Sequence, residues 1–142
     1  MLAETMREHK VTSVIHLAAQ KQVGVSVQQP ERYYSENIGG MANLLTAMRA
    51  TGVDRLVFSS SAATYGMPDV DLVNEDSPCH PINPYGETKL IGEWMSANAS
   101  RAWGLRAANL RYFNVAGAGW SDLADTAVMN LVPIVFLSLI HI

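Results

Sequence analysis

The sequence predicts an α/β fold with a parallel sheet, because short apolar runs alternate with helical patterns along the chain. The runs are residues Val11–Ala19, Arg55–Ser60 and Leu105–Tyr112. The first is mostly apolar, as expected of a strand buried on both faces of a parallel sheet. Strand–helix–strand connections of this kind favour right-handed parallel units. The 142 residues amount to one domain that is large enough for a hydrophobic core.

Two helical patterns lie between the predicted strands, after a charged helical segment at residues 2–9. Pro30 opens the first pattern and Gly52 follows it as a stop. Its predicted buried positions are Tyr34, Ile38, Met41, Leu45 and Met48. The second pattern has Asn83 as N-cap and Pro84 as first helical residue, and it ends near Gly104. Its predicted apolar positions are Leu90, Ile91, Trp94 and Met95.

Composition restricts the class of protein and its compartment. Hydrophobic residues make up 49% of the chain and charged residues 16%, which indicates a globular protein. The net charge of −3 gives no electrostatic case for binding nucleic acid or an acidic membrane. The lone Cys79 excludes an internal disulfide and fits a reducing cytoplasm, and no signal peptide is visible at the N-terminus. We predict no metal site, since no metal-ligand spacing joins Cys79 or the histidines His9, His16, His80 and His141.

Tyr85 and Lys89 form the clearest chemical pattern in the sequence. They are four residues apart on the second predicted helix and therefore lie on one side of it. A phenol ionises near pH ~10 and is a poor base at neutral pH, but a neighbouring ammonium group favours its ionised form. The spacing alone also fits an ordinary surface pair, so the pattern needs support from other residues.

Polar residues at the ends of the three predicted strands give that support. The strand ends are Ala18–Lys21, Ser59–Ser61 and Tyr112–Asn114. In open parallel sheets, ligands bind at the carboxyl ends of the strands. Residues 62–83 form a long loop, and a loop of more than about 15 residues in a compact domain is usually functional. Together with the Tyr85 helix, these strand ends predict a binding site.

Four motifs resemble the extended short-chain dehydrogenase/reductases and, within them, the UDP-glucose 4-epimerase family. They are His16-Leu-Ala-Ala-Gln-Lys21-Gln-Val-Gly24-Val-Ser26-Val, Phe58-Ser-Ser-Ser61-Ala-Ala-Thr-Tyr65-Gly66, Pro84-Tyr85-Gly-Glu-Thr-Lys89 and Arg111-Tyr-Phe113-Asn114-Val-Ala-Gly117. The resemblance covers roughly residues 10–136, in the family's order and with close to its spacing. It implies a partial Rossmann-type, doubly wound parallel sheet that lacks its first strands.

The resemblance implies an NAD-dependent epimerisation at C4 of a UDP-hexose, glucose or galactose, through a 4-keto sugar. The implied catalytic residues are Ser61, Tyr85 and Lys89, with Tyr85 as the base for the sugar 4-OH. The implied cofactor-binding residues are Lys21, Asn37, Ser59, Tyr85, Lys89 and Phe113. The implied substrate-binding residues are Ser61, Thr64, Tyr85 and Asn114. The implied partner is the UDP-sugar, without nucleic acid or membrane, and a full-length protein could form a homodimer.

Two features favour an epimerase over the related 4,6-dehydratases. Lys21 stands in a Val-Gly-x-Ser-Val context, and Ser61 is followed by Ala62, Ala63 and Thr64 without a carboxylate. Three alternatives stay open: another nucleotide-sugar epimerase or dehydratase, a non-catalytic fragment, and a ligand-sensing relative. His16 and Asn37 also fit packed core residues, while Lys21 also fits a solvated loop and the serines a simple strand cap.

The sequence departs from the family pattern at both ends. No glycine precedes Gly24, so the family's Gly-x-x-Gly-x-x-Gly turn for the cofactor pyrophosphate is absent. We therefore expect an internal fragment, with residues 1–136 as a partial NAD-binding domain and residues 137–142 as an unrelated apolar tail. The apolar run of about 16 residues that ends the chain, with Pro133 inside, also suggests a membrane span, but it is short of the roughly 20 residues that a spanning helix needs. A buried helix is the preferred interpretation.

Overall fold

A parallel sheet forms the centre of the structure, a computed structural model that describes residues 1–115, 117–123, 134, 135 and 138. In these residues its strands are β1 (Val14–His16), β2 (Arg55–Ser59) and β3 (Arg106–Leu110), in the order β1-β2-β3. Val57 of β2 is level with Ile15 on one side and Ala108 on the other. The predicted parallel α/β fold is confirmed.

The helices are α1 (Leu2–Glu8), α2 (Val23–Gln28), α3 (Pro30–Tyr33), α4 (Gly39–Thr51) and α5 (Pro84–Trp103). A π-helical turn, Tyr34–Ile38, joins α3 to α4. Gly52 and Gly104 end α4 and α5 in the left-handed conformation, with φ of 73° and 79°. Both predicted helix stops are therefore confirmed, because glycine adopts this conformation without a Cβ clash.

One face of the sheet carries the hydrophobic core. Leu56 and Phe58 of β2 are 2% and 4% exposed and pack against α1, α4 and α5. The other buried members of this cluster are Met6, Met41, Leu44, Ala47, Met48, Val53, Ala99 and Leu105. Burying an aliphatic or aromatic side chain of this size contributes roughly 1.5–3 kcal/mol. The core thus fixes α5, and with it the Tyr85–Lys89 pair, against the sheet.

The opposite face of the sheet differs from the prediction. Ile15 is 68% exposed and Leu17, just beyond β1, is 65% exposed, whereas Val14 and His16 are partly buried. The expected burial of Val11–Ala19 on both faces is wrong for the described part of the chain, because there the core helices pack on one face only. The strand itself is also shorter than the apolar run that predicted it.

The π-helical turn shifts the buried positions of the segment that Pro30 opens. A π turn inserts one extra residue, so positions before it move by one relative to a regular helix. Tyr33 is fully buried and Tyr34 is 37% exposed, the reverse of the predicted pattern. After the turn, burial of Met41 and Met48 is confirmed.

Two further predictions about helices needed correction. Helix α2 lies in a segment for which no helical pattern was predicted from the sequence, and Ser26 there is buried and donates to Val23 O at 2.7 Å. On α5, Leu90 is buried as predicted but Trp94 is 57% exposed. The buried face of α5 instead carries small and polar residues, namely Gly86, Thr88, Lys89, Gly92, Glu93, Ser96 and Ala99. This face is polar because it faces the strand ends as well as the core.

The residues from Met1 to Arg111 form one compact unit, and a second unit begins at Tyr112. In the second unit Phe113 is 67% exposed and Trp120 is 70% exposed. A short 3-10 turn spans Ser121–Leu123. The buried helix predicted for the apolar run at the end of the chain and the predicted tail at 137–142 lie, apart from residues 134, 135 and 138, outside the described residues. The domain boundary between them stays a prediction.

Candidate active site

Tyr85 lies in the first turn of α5, whose start has the predicted cap. Asn83 Oδ1 accepts a hydrogen bond from Gly86 N–H at 2.9 Å, and Pro84 occupies the first helical position. Helical spacing then brings Lys89 next to Tyr85, with Lys89 Nζ 5.7 Å from the centre of the Tyr85 ring. The predicted stacking of this pair is confirmed, and it places a cation beside the phenol.

Lys89 is a buried lysine that is anchored to the end of β2. Only 4% of it is exposed, and its Nζ donates to Ser59 O at 2.7 Å. Nζ also lies 5.2 Å from the centre of the Phe58 ring. Burial lowers the pKa of Lys89 to about 8, because the charged form loses hydration. The amine is therefore still cationic at neutral pH but titrates in the mildly alkaline range.

Ser61 follows β2 and caps the short 3-10 turn Ala62–Thr64. Its Oγ accepts from Ala63 N–H at 3.1 Å, and its carbonyl accepts from Thr64 Oγ1 at 2.9 Å. Thr64 is fully buried, so its hydroxyl serves this turn. Ser61 itself is partly exposed and can present its hydroxyl to a ligand. The serine strand end thus acts as a cap, as one interpretation of the sequence proposed, and remains open to ligand.

The backbone of the turn that follows Ser61 lies directly against the backbone at the start of α5. A Cβ atom at Gly86 would lie 2.6 Å from Ala63 O, which no side chain tolerates without a shift of the backbone. Further along α5, a Cβ at Gly92 would lie 2.5 Å from the Phe58 ring. The two glycines therefore let α5 lie directly on the end of β2, so that Tyr85, Lys89 and Ser61 share one edge of the sheet.

Asn37 connects the loop after β1 to α5. Its Oδ1 accepts from Gln20 N–H at 2.8 Å, and its Nδ2 donates to Gln20 O and to Thr88 Oγ1, both at 3.1 Å. The side chain is buried, with 9% exposure. Lys21, the neighbour of Gln20, is exposed. Asn37 is thus a satisfied buried amide that positions the segment carrying Lys21.

His16 packs against the site from β1. Its ring stacks on Phe58 at 5.8 Å between centres and an angle of 22°. Burial lowers the pKa of His16, and the positive charge of Lys89 lowers it further. The neutral imidazole is therefore favoured, which agrees with a packed histidine.

The structure brings together most, but not all, of the residues that the sequence singled out. Ser59, Ser61, Tyr85 and Lys89 lie at the carboxyl end of β2 and the start of α5. Phe113 and Asn114 belong to the second compact unit, where both are exposed. Their proposed roles stay predictions.

Sequence reasoning missed a charged network beneath this site. Glu93 is 7% exposed, receives a hydrogen bond from Ser60 and pairs with Arg111 through two nitrogens of the guanidinium. The hydrogen bonds to Glu93 raise the pKa of Arg111 above its usual value. The available signal was helical spacing, since Glu93 follows Lys89 by four residues and falls on the same side of α5.

In the part of the chain that the structure describes, no group of three or more His, Cys, Asp or Glu residues could hold a metal ion. The same residues include no helix that is both long and apolar enough to cross a membrane.

Comparison with known families identifies this arrangement. The sequence profile described as "NAD dependent epimerase/dehydratase family" matches residues 1–139. The chain belongs to this family. The Tyr85–Lys89 pair and the serine strand end therefore stand in a family of epimerases and dehydratases, as the sequence motifs indicated.

Relatives within the epimerase/dehydratase family are similar over most of this chain. The UDP-glucose 4-epimerase of Lactobacillus helveticus is 49% identical over 118 residues, which are 83% of this chain and 36% of the relative. The crystal structure of UDP-glucose 4-epimerase from Brucella ovis in complex with NAD has a TM-score of 0.80 and 50% identity, and it covers 82% of this chain and 36% of that one.

A third similar protein is the UDP-glucose 4-epimerase from Stenotrophomonas maltophila, solved with bound NAD and formylated UDP-arabinopyranose. Its TM-score is 0.85 at 42% identity, over 93% of this chain and 41% of that one. The chain thus spans about 36–41% of the length of these epimerases. The shared part has the Rossmann-type fold that the sequence implied.

Proposed function

We propose that this chain carries the catalytic residues of a UDP-hexose 4-epimerase that interconverts UDP-glucose and UDP-galactose with NAD. The observation that carries the proposal is the buried Lys89 ammonium beside the Tyr85 ring, at a strand end that presents Ser61. The relatives described above, three UDP-glucose 4-epimerases at 42–50% identity, support the substrate and the cofactor.

The residues present fit the nicotinamide end of NAD. The Lys89 ammonium uses one donor on Ser59 O and has further donors for ribose hydroxyls. Lys21, Ser59 and Phe113 are the further cofactor-side residues of the proposal. Asn37 acts on this side by positioning Gln20 and Thr88, because its amide group is already hydrogen-bonded to them. When bound, NAD would supply the hydride acceptor and donor for sugar C4. The sequence contains no Gly-x-x-Gly-x-x-Gly turn for the pyrophosphate.

Tyr85 is the general base of the proposed reaction. The phenolate takes the proton of the sugar 4-OH while the C4 hydride leaves, which produces a 4-keto sugar, and it returns the proton when the hydride comes back. Ser61 Oγ hydrogen-bonds the same oxygen, and the positive charge of Lys89 stabilises the phenolate. Proton transfer by a positioned group of this kind contributes typically ~10²–10⁴-fold to the rate. Asn114 completes the proposed substrate side, whereas the role predicted for Thr64 does not fit the structure, because its buried hydroxyl is already bonded to Ser61 O.

The absence of a carboxylate next to Ser61 distinguishes an epimerase from a 4,6-dehydratase. A dehydratase must also remove a proton from C5 and protonate the leaving hydroxyl at C6, and this requires an additional acid near the sugar. Here Ala62, Ala63 and Thr64 follow Ser61, and the fully buried Thr64 hydroxyl donates to Ser61 O. These residues supply no acid, which supports epimerisation.

The test uses a hybrid enzyme, in which the matching segment of this chain replaces that of the Lactobacillus helveticus relative. The parent relative is the control for the assay. We expect the hybrid to bind NAD and to convert UDP-galactose to UDP-glucose. A folded, NAD-bound hybrid that makes no UDP-glucose contradicts the proposal. A keto product that has lost one water molecule, detected by mass spectrometry, indicates a dehydratase instead.

A further inference from the structure

Glu93, one turn after Lys89 on α5, forms a partly buried ion pair with Arg111. Arg111 Nη2 donates to Glu93 Oε2 at 2.7 Å, and Arg111 Nε donates to Oε1 at 3.0 Å. The side chains are 9% and 21% exposed for Glu93 and Arg111. The pair links α5, two turns after Tyr85, to the residue that follows β3.

A third group joins the pair to the end of β2. Ser60 Oγ donates to Glu93 Oε1 at 2.5 Å, and Ser60 is 2% exposed. One turn earlier on α5, Lys89 Nζ donates to Ser59 O at 2.7 Å. Side chains from two consecutive turns of α5 thus hold two consecutive residues of the strand end, and the next residue is Ser61.

Arg111 also reaches the long loop that leads from Ser61 back to Tyr85. Its guanidinium carbon lies 4.8 Å from the centre of the Tyr65 ring, and its Nη1 donates to Glu75 O at 3.3 Å. One cation therefore contacts α5, through Glu93, and two points of the chain segment between Ser61 and Tyr85. A change in this cation therefore disturbs all of these contacts together, and a change in Glu93 removes the partner that orients the guanidinium.

From this geometry, and given the proposed function, we propose that Glu93 and Arg111 are positioning residues that set Ser61 relative to Tyr85. A buried ion pair is weak evidence for stability, because well-packed apolar residues are often as stabilising. Its value here is geometric, since a planar bidentate pair fixes both distance and orientation. A displacement of about 1 Å in a reacting group can cost on the order of 10²-fold in rate.

A double-mutant cycle in the hybrid enzyme tests this inference. Glu93→Gln keeps the shape of the side chain and removes its charge. We expect kcat to fall at least ~10-fold, because Ser61 leaves its productive position, while KM for UDP-galactose changes less than about 2-fold. In a Ser61→Ala background the same change should cost less than about 2-fold, because Glu93 acts through Ser61. If Glu93→Gln lowers kcat by the same factor with and without Ser61→Ala, the inference is contradicted.

The matched control is the carboxylate–arginine pair formed by Asp54 and Arg106, which joins the starts of β2 and β3. Asp54 precedes β2, and both of its oxygens accept from Arg106 Nη2, at 2.6 and 2.7 Å. This pair lies at the opposite, amino ends of the strands and is largely exposed. Asp54→Asn should leave kcat unchanged. A loss of kcat equal to that of Glu93→Gln would mean that removing any carboxylate–arginine pair near this sheet has the same effect, and it would overturn the inference.

Two additional variants keep the inference testable if Glu93→Gln does not fold. Ser60→Ala removes one hydrogen bond and should lower kcat without changing KM. Arg111→Lys keeps the charge but loses the bidentate geometry, and it should also lower kcat without changing KM. Parental kcat in both variants contradicts the inference.

Amide hydrogen exchange gives a readout that needs no activity. The Thr64 and Tyr65 N–H groups, which donate to Ser61 O and Ala62 O, should exchange faster in Ser60→Ala or Arg111→Lys than in Asp54→Asn. Unchanged exchange there contradicts the inference. If the hybrid without further substitutions binds NAD but is inactive, the proposed function is contradicted. If it is active and the kcat losses of Glu93→Gln and Ser61→Ala are additive, only the positioning role is contradicted.

Discussion

Asn37 Nδ2 and Thr88 Oγ1 are 3.1 Å apart and join the π-helical turn to the helix that carries the proposed base. Thr88 Oγ1 also donates to Tyr85 O at 2.8 Å, so the Asn37 amide is one hydrogen bond away from the Tyr85 backbone. π turns are found frequently at functional sites. Here the turn places a buried amide where it can hold both Gln20 and α5.

Replacing Asn37 tests how much this link stabilises the fold. Asn37→Ala leaves the Gln20 backbone groups without their partner, and orphaned buried groups cost ~1–3 kcal/mol each. We expect the free energy of unfolding of the hybrid enzyme to fall by about 3 kcal/mol in urea denaturation. The control is Asn43→Ala, an exposed asparagine on α4, which should change stability by no more than about 0.5 kcal/mol. Similar losses in the two variants would show that the link is not stabilising.

The role of Tyr85 as base predicts a rate effect without a binding effect. Tyr85→Phe removes the ionisable oxygen and keeps the ring that lies beside Lys89. We expect kcat of the hybrid to fall by at least ~10²-fold, the usual scale for removing a general base. KM and the NAD content should stay close to those of the parent. Turnover near the parental rate would rule out Tyr85 as the base.

The buried lysine predicts a decline of activity at alkaline pH. Because burial lowers the pKa of Lys89 to about 8, the amine is positive below that pH and neutral above it. The phenolate loses its neighbouring cation as pH rises, so kcat/KM should fall through about pH 8. Lys89→Arg keeps its charge throughout this range and should show no such decline, although its overall rate is lower. The same alkaline decline in Lys89→Arg would assign it to another group.

Two glycine substitutions test the close approach at the start of α5. Gly86→Ala forces a Cβ against Ala63 O at 2.6 Å, which must separate Tyr85 from Ser61. We expect a lower kcat and a lower melting temperature. Gly40→Ala on α4 meets nothing within 4 Å and should stabilise the protein, by roughly 0.5–1 kcal/mol, through helix propensity. Equal melting temperatures for the two variants would contradict the predicted contact.

The architecture could be predicted well from the sequence, because the ends of its elements depend on local signals. Asn83, Pro84 and Gly104 mark the ends of α5, and the structure uses all three as predicted. The shift between Tyr33 and Tyr34 could not be predicted, because a π turn is set by tertiary contacts and leaves no clear sequence signal.

The candidate site was predicted in part for a similar reason. The Tyr85–Lys89 contact follows from helical spacing within one element. The contact between Glu93 and Arg111 joins residues 18 positions apart on different elements, so only the folded chain brings it together. The exposure of Ile15 likewise depends on which helices cover the sheet, and an apolar strand sequence does not specify that.

The 142 residues by themselves should not bind NAD tightly. Pyrophosphate binding in this family type needs backbone N–H groups and a helix N-terminus, and the sequence holds no glycine-rich turn to provide them. Calorimetric titration of the purified chain with NAD should show no stoichiometric binding, whereas the hybrid enzyme should bind. A dissociation constant of about micromolar or tighter for the chain alone would contradict this prediction.

The hydrogen bond from Lys89 Nζ to Ser59 O also affects the entropy of ligand binding. A free lysine side chain has about 2 kcal/mol of rotamer entropy to lose when it is immobilised. In this fold that freedom is lost when α5 packs on β2, before any ligand arrives. A ligand hydroxyl that meets the ordered ammonium does not incur the loss again, and about 2 kcal/mol corresponds to an affinity gain of roughly 30-fold. Folding thus preorganises this lysine as a donor for the ligand.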